Sequence, residues 1–176
     1  MIALLRAVNV GGRGLLMADL KALVDDLGYI DGRTLLQTGN VVFRADARAK
    51  PAQIEQRLEG ELQSRFSLAS TVFVRTTIEW AEAVSTNPFR REAVSDPAHL
   101  VLMLLKTTPA ASAVEGLQAA ARGRETVRAA DRRLYIVYPD GIGRSKLTHT
   151  IIERTLGTAG TARNWNTVLK LAALDR

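Results

Sequence analysis

Asp140-Gly141-Ile142-Gly143-Arg144-Ser145-Lys146 is a stretch of this chain supplied for holding an anion. Glycines let backbone amides approach a ligand, Ser145 offers a hydroxyl able to cap a helix, and Lys146 adds charge beside them. The stretch departs from the phosphate-loop pattern of a Gly, four residues, then Gly-Lys-Ser/Thr, so nucleotide hydrolysis does not follow. Its plainest reading is a glycine turn with a serine N-cap. Thr161-Ala162-Arg163-Asn164-Trp165-Asn166-Thr167 is a second polar concentration. Trp165, Val168, Leu169 and Ala172 follow helical spacing, which makes Trp165 a core anchor and Thr161 an N-cap. Arg163, Asn164, Asn166 and Thr167 are left in one turn, more polar groups than capping requires. Asn side chains there bind backbone or ligand.

Three further places near the start carry polar chemistry. Arg6 lies on the otherwise apolar face Ile2-Leu4-Arg6-Val8, followed by Asn9. A guanidinium there needs a carboxylate, carbonyls or an anion. Gly11 and Gly12 precede a helix whose entry, Leu15-Leu16-Met17, has no side-chain cap, so its amides must find other acceptors. Gln37, Thr38 and Asn40 sit at a turn, which explains most of their polarity. Nucleophilic catalysis has little to work with. Ser145 and His149 are spaced i, i+4 with Asp140 nearby, but an N-cap serine already has an acceptor role. There is no cysteine, and His99 and His149 are the only histidines, so no metal site is expected and no cofactor is implied.

The elements that must position these residues follow from periodicity. Ile2 to Asn9 reads as a strand. Leu20, Leu23, Val24 and Leu27 mark a helix ending at Gly28. Leu35 to Arg44 reads as a hairpin around Gly39-Asn40. Ile54, Leu58, Leu62 and Phe66 mark a helix entered through Pro51, and Thr71 to Thr76 is a strand. That order, βαββαβ, is the ferredoxin-like arrangement. A helix from Ile78 to Thr86 and a polar stretch from Asn87 to Ala98 then link to a second half. There, Leu100 to Lys106 is a strand, and Val114, Leu117 and Ala121 mark a helix. Thr126–Ala130 and Arg133–Tyr138 form a hairpin around Asp131-Arg132. Two helices close the chain, from about Lys146 and about Ala162. The expectation is an α+β protein of two similar ferredoxin-like subdomains with antiparallel sheets. Its divisions are residues 1–77, a link over 78–98, and a basic second half over 99–176.

With 176 residues, 47% hydrophobic and 24% charged, the chain can bury a core unaided. The apolar run Leu100 to Leu105 is far short of the roughly 20 residues that a membrane span needs. The start has neither basic leader nor cleavage site, so a cytoplasmic protein without membrane contact is expected. Net charge is +6, and residues 99–176 carry twelve basic against six acidic side chains, so the whole excess lies there. Such a field suits an anionic partner, although 19 arginines and 25 alanines also fit coding bias. In the second hairpin, Arg128 falls opposite Tyr135 and Val127 opposite Ile136. Val127, Ala129, Leu134 and Ile136 form a core face. Thr126, Arg128, Arg133 and Tyr135 form a mixed face that suits stacking, or simple solvation. Without an RNP-type aromatic pair, only weak, salt-sensitive contact with nucleic acid is expected.

Five ordered motifs resemble the bacterial family named domain of unknown function 1697. They are Leu4-Leu5-Arg6-Ala7-Val8-Asn9-Val10-Gly11-Gly12, Gln37-Thr38-Gly39-Asn40-Val41-Val42-Phe43, Asn87-Pro88-Phe89, Gly141-Ile142-Gly143-Arg144-Ser145-Lys146-Leu147 and Thr161 through Thr167. Ala7 stands where Gly is usual and Thr38 where Ser is usual. The resemblance implies a small cytoplasmic α+β protein of two related subdomains, with no established activity. The leading functional expectation is a small phosphate- or nucleotide-like ligand. It would be held by Arg6, Asn9, Gly11, Gly12, Gln37, Asn40, Gly141, Gly143, Ser145, Lys146, Arg163, Asn164 and Asn166, at strand ends and helix starts. An enzyme acting on a phosphorylated substrate is the alternative, with Lys146 and Arg163 neutralising charge. A purely structural role for the Asn and Gly motifs is the third reading. The sequence carries no signal for oligomeric state.

Overall fold

The computed structural model describes residues 1–9, 14–121 and 123–174. Gly11 and Gly12, two of the expected ligand residues, lie outside them. The chain divides into two compact units, Met1–Glu82 with Lys170–Arg176, and Ala83–Leu169. Relative to the expected divisions, the second unit begins at Ala83, and the chain end returns to the first.

In the first unit, β1 (Ile2–Leu5), α1 (Met17–Asp26), β2 (Ile30–Thr34), β3 (Asn40–Arg44), α2 (Pro51–Phe66) and β4 (Val72–Arg75) run in βαββαβ order, followed by α3 (Thr77–Ser85), which passes into the second unit from Ala83. The sheet order is β2-β3-β1-β4 with every neighbour antiparallel. Alternation in β1, β3 and β4 sends Ala3, Leu5, Val41, Phe43, Val72 and Val74 to one face, where Leu20, Leu23, Val24, Ile54, Leu58 and Leu62 of the helices meet them. Each Val, Leu, Ile or Phe among them contributes roughly 1.5–3 kcal/mol of burial. Helix α3 is opened by a capping box, in which Thr76 Oγ1 accepts from Glu79 N and Glu79 Oε2 accepts from Thr76 N.

The second unit repeats the plan. After α4 (Arg90–Ser95) come β5 (Leu100–Leu105), α5 (Ala111–Ala120), β6 (Thr126–Ala130), β7 (Arg133–Val137), α6 (His149–Leu156), β8 (Gly160–Asn164) and α7 (Trp165–Leu174), which passes into the first unit from Lys170. The order β6-β7-β5-β8 matches the first sheet strand for strand. The protein is therefore α+β, with two similar four-stranded antiparallel subdomains and a helical C-terminal end.

Several local expectations need correction. The first hairpin is not closed by a two-residue loop. Leu35–Gly39 join β2 to β3, with Asn40 as the first residue of β3. The polar strand β2 escaped periodicity because Asp31 and Gly32 are poor strand formers and the strand carries a bulge. Strand β1 stops at Leu5, after which Ala7 and Asn9 take φ of 55° and 60°. The stretch 87–98 contains helix α4. The segment read as the start of the last helix is strand β8, in which Thr161 pairs with Leu104 and is buried instead of capping. Helix α6 starts at His149 and is capped by Thr148, whose side chain accepts from Ile151 N. Ser145 precedes the helix, so the i, i+4 pairing of Ser145 with His149 does not exist.

Candidate functional site

Register places one end of the second sheet under the glycine stretch. Val137, the last residue of β7, pairs with Thr126 on one side and Leu100 on the other. Glu125, Tyr138 and His99 therefore leave the sheet together. From there the chain turns: Tyr138 N donates to His99 O at 2.9 Å, and Gly141 N donates to Tyr138 O at 2.9 Å. Gly141 has φ 86°, a conformation that favours glycine. A 3-10 turn over Ile142–Arg144 leads to Ser145. The result is a cleft of about 210 Å³ lined by Gly123, Glu125, Tyr138, Pro139, Asp140, Gly141, Arg144, Ser145 and Lys146.

Ser145 and Glu125 form the wall. Ser145 Oγ donates to Glu125 Oε1 and accepts from Leu147 N at 2.9 Å. That hydroxyl is occupied in both directions, which leaves it unsuited to nucleophilic attack. The Ser145 bond, then the amides of Glu125 and Gly123, hold the Glu125 carboxyl below the usual range, so it is ionised near neutrality. Its Oε2 is buried against Gly123 and has no aligned donor among the described residues. Tyr138 is buried, with its hydroxyl donating to Leu147 O at 3.3 Å, and burial pushes its pKa up to about 12. Its ring is an apolar wall. At the rim Arg124 clasps Asp140 through Nε and Nη2, and the clasp holds Asp140 below the usual carboxylate range. The Asp140 carboxylate is thus committed to an arginine and unavailable for a catalytic triad.

A histidine borders this turn. His99 Nδ1 lies 2.8 Å from Asp96 Oδ2, and the pair is about half exposed. His99 Nε2 is 3.6 Å from where a Gly141 Cβ would stand. Sequence reasoning passed over this pair. Its signal was an Asp and a His at i, i+3 just before an apolar strand, too common a pattern to single out.

The remaining expected ligand residues have other work. Gly143 is exposed on the 3-10 turn and does not line the cleft. Arg163, on β8, donates to Thr161 Oγ1 at 3.1 Å and Ala162 O at 2.8 Å, and burial lowers its pKa to about 10. Asn164 caps α7, its Oδ1 accepting from Thr167 N at 3.0 Å and Thr167 Oγ1 at 2.9 Å. Asn166 is exposed on the first turn of α7. In the first unit, Arg6, Asn9, Gln37 and Asn40 gather at one end of the sheet. Asn9 Nδ2 donates to Gln37 O at 2.6 Å and Leu15 O at 3.2 Å, while its Oδ1 accepts from Leu15 N at 2.8 Å. Asn40 is fully buried and donates to Leu35 O and Thr38 Oγ1. Arg6 is half-buried just past β1, where its carbonyl accepts from Ser70 Oγ. Gln37 is exposed, and its backbone carbonyl is what Asn9 holds. Among the described residues no cluster of three or more acidic or histidine side chains is placed to hold a metal ion, and no helix is long and apolar enough to cross a membrane.

A family model described as protein of unknown function (DUF1697) matches residues 1–135. The chain belongs to that family. The match takes in the first hairpin and Glu125, and it ends within β7, before the glycine turn. Among solved structures, a conserved bacterial protein from Streptococcus pneumoniae superposes with a TM-score of 0.75 at 15% identity, covering 99% of this chain and 97% of that one. The two share a fold over their whole lengths. Among curated proteins nothing is detectably similar to the chain. The DUF1697 fold is thus a tandem of two βαββαβ units in this member.

Proposed function

We propose that the protein binds a small anionic, phosphate-like ligand in the cleft of its second unit. The observation that carries this reading is the convergence of Gly141, Ser145 and Lys146, with Arg144, on one concave site. Such a site sets two cations, Lys146 and Arg144, on one concave wall. The reading is narrower than a site built from all the motifs, because Asn9, Asn40 and Asn164 spend their side chains on the backbone. Isothermal titration with inorganic phosphate tests it. Lys146→Ala weakens binding at least about tenfold, the loss of one charge-assisted hydrogen bond. Lys170→Ala, at an exposed cation on α7 that does not line the cleft, leaves it unchanged. Equal affinity in all three proteins rejects the cleft.

One observation favours the enzymatic alternative, hydrolysis of a phosphorylated substrate. The His99–Asp96 pair beside Gly141 supplies the base that the sequence reading lacked. Asp96 fixes the ring through Nδ1, which leaves Nε2 to take a proton from an attacking water. Release of phosphate from a generic phosphomonoester, abolished in His99→Ala and kept in His149→Ala, supports this route. No release leaves binding as the function.

A further inference from the structure

The charges around the cleft do not suit a simple polyanion. Three cations, Arg124, Arg144 and Lys146, face two carboxylates, Glu125 and Asp140, so the surplus is a single positive charge. Arg124 is spent on Asp140, and Arg144 lies near enough to Asp140 to help hold it ionised. Glu125 differs from Asp140 in having no cation of its own among the described residues. Its partner is a neutral hydroxyl, and its second oxygen has no aligned donor. An ionised carboxylate in a concave wall repels a phosphate placed against it and attracts a donor, above all a charged one. Ser145 links the two ends, because it hydrogen-bonds Glu125 and is covalently followed by Lys146. Glu125, Arg144, Ser145 and Lys146 all line this one cleft.

We infer that the ligand is bipolar: an anionic phosphate facing Lys146 and Arg144, with an ammonium group a few bonds away hydrogen-bonded to Glu125. This deepens the anion-binding reading and rests on it. Tyr138 supplies an apolar wall of the same cleft, which accommodates a short aliphatic linker. The site then discriminates by charge: a phosphate without an amine leaves the Glu125 carboxylate in the complex without a cation.

Titration of the full chain with inorganic phosphate and with O-phosphoethanolamine tests this directly. The wild-type protein binds the amine-bearing phosphate at least about tenfold more tightly than phosphate. Glu125→Gln keeps an acceptor for Ser145 and removes the charge. In that variant the preference falls to about unity, while inorganic phosphate binds as well as before or better. Lys146→Ala weakens both ligands together. Phosphate binding without preference in the wild-type protein overturns the bipolar ligand alone. Absence of binding by either probe overturns the anion reading beneath it. The wild-type ratio needs no variant, so a poorly folding Glu125→Gln does not remove the test.

Discussion

Asn40, Asn164 and Asn166 are the same residue type in polar motifs, and their surroundings give them different roles. Asn40 is buried at the foot of β3, where its amide closes the loop from Leu35. Asn40→Ala strands the Leu35 carbonyl and costs about 1–3 kcal/mol, readable as a lower urea midpoint with unchanged slope. Asn164→Ala removes an N-cap and costs about 0.5–2 kcal/mol. Asn166→Ala, on an exposed position, stays within about 0.5 kcal/mol of wild type. Equal losses at all three positions would show that the caps and the buried amide are wrongly placed. Glu125 gives a pH signature. Its carboxyl titrates lower in the folded state than in the unfolded chain, so it stabilises above the ordinary carboxylate range. That contribution is lost as pH falls through the folded value. Glu125→Gln therefore shows a shallower loss of stability on acidification than wild type, measured by urea unfolding at neutral and acidic pH. Residue types alone revealed that these positions were polar and special; hydrogen-bond partners from distant segments decided what each one does.

At the scale of elements, strand–helix order was legible wherever apolar spacing was strong. Helix α2 and the second hairpin fall where periodicity puts them, with Arg128 opposite Tyr135 and Val127 opposite Ile136. Strand β8 was not legible, because Thr161 imitates an N-cap and Trp165 begins a helical pattern just beyond it. Only pairing with β5 distinguishes it, and that information lies about 60 residues away in sequence. Edge strands are guarded by helix carboxylates in both units. Glu59 and Glu55 of α2 accept from Val72 N and Val74 N, and Glu153 of α6 accepts from Gly160 N. The mixed face of the second hairpin is also corrected. Tyr135 is fully buried, its hydroxyl donating to Ala83 O at 2.8 Å and its ring 6.4 Å from that of Trp165. It is unavailable for stacking on bases, and Tyr135→Ala costs about 3–5 kcal/mol as a core truncation, seen in chemical unfolding. Gly39 is fixed by sterics, since a Cβ there would stand 2.8 Å from Leu5 Cβ at φ 72°. Gly39→Ala lowers the melting temperature for that reason, and an unchanged melting temperature would contradict the loop geometry.

For the whole molecule, two copies of one βαββαβ plan were visible as a pattern in the sequence, although the second copy was read without its last strand. The candidate site was legible only in part. Gly141, Ser145 and Lys146 announced themselves as a motif, whereas Glu125 and the His99–Asp96 pair reached the same sheet end by register, which spacing cannot convey. From the basic excess of residues 99–176 we propose at most weak, salt-sensitive contact with nucleic acid through exposed arginines such as Arg128. Oligonucleotide anisotropy then falls steeply between low and physiological salt, and tight binding at the higher salt would contradict a purely electrostatic contact. The central claim is that one cleft, in the second unit, receives a small anion. Heteronuclear NMR with increasing inorganic phosphate tests it most directly, because it reports position as well as affinity. Saturable shifts centred on the amides of Gly123, Gly141, Ser145 and Lys146 are the predicted result. Shifts that never saturate, or that centre on Asn9 and Gln37 in the first unit, would contradict it.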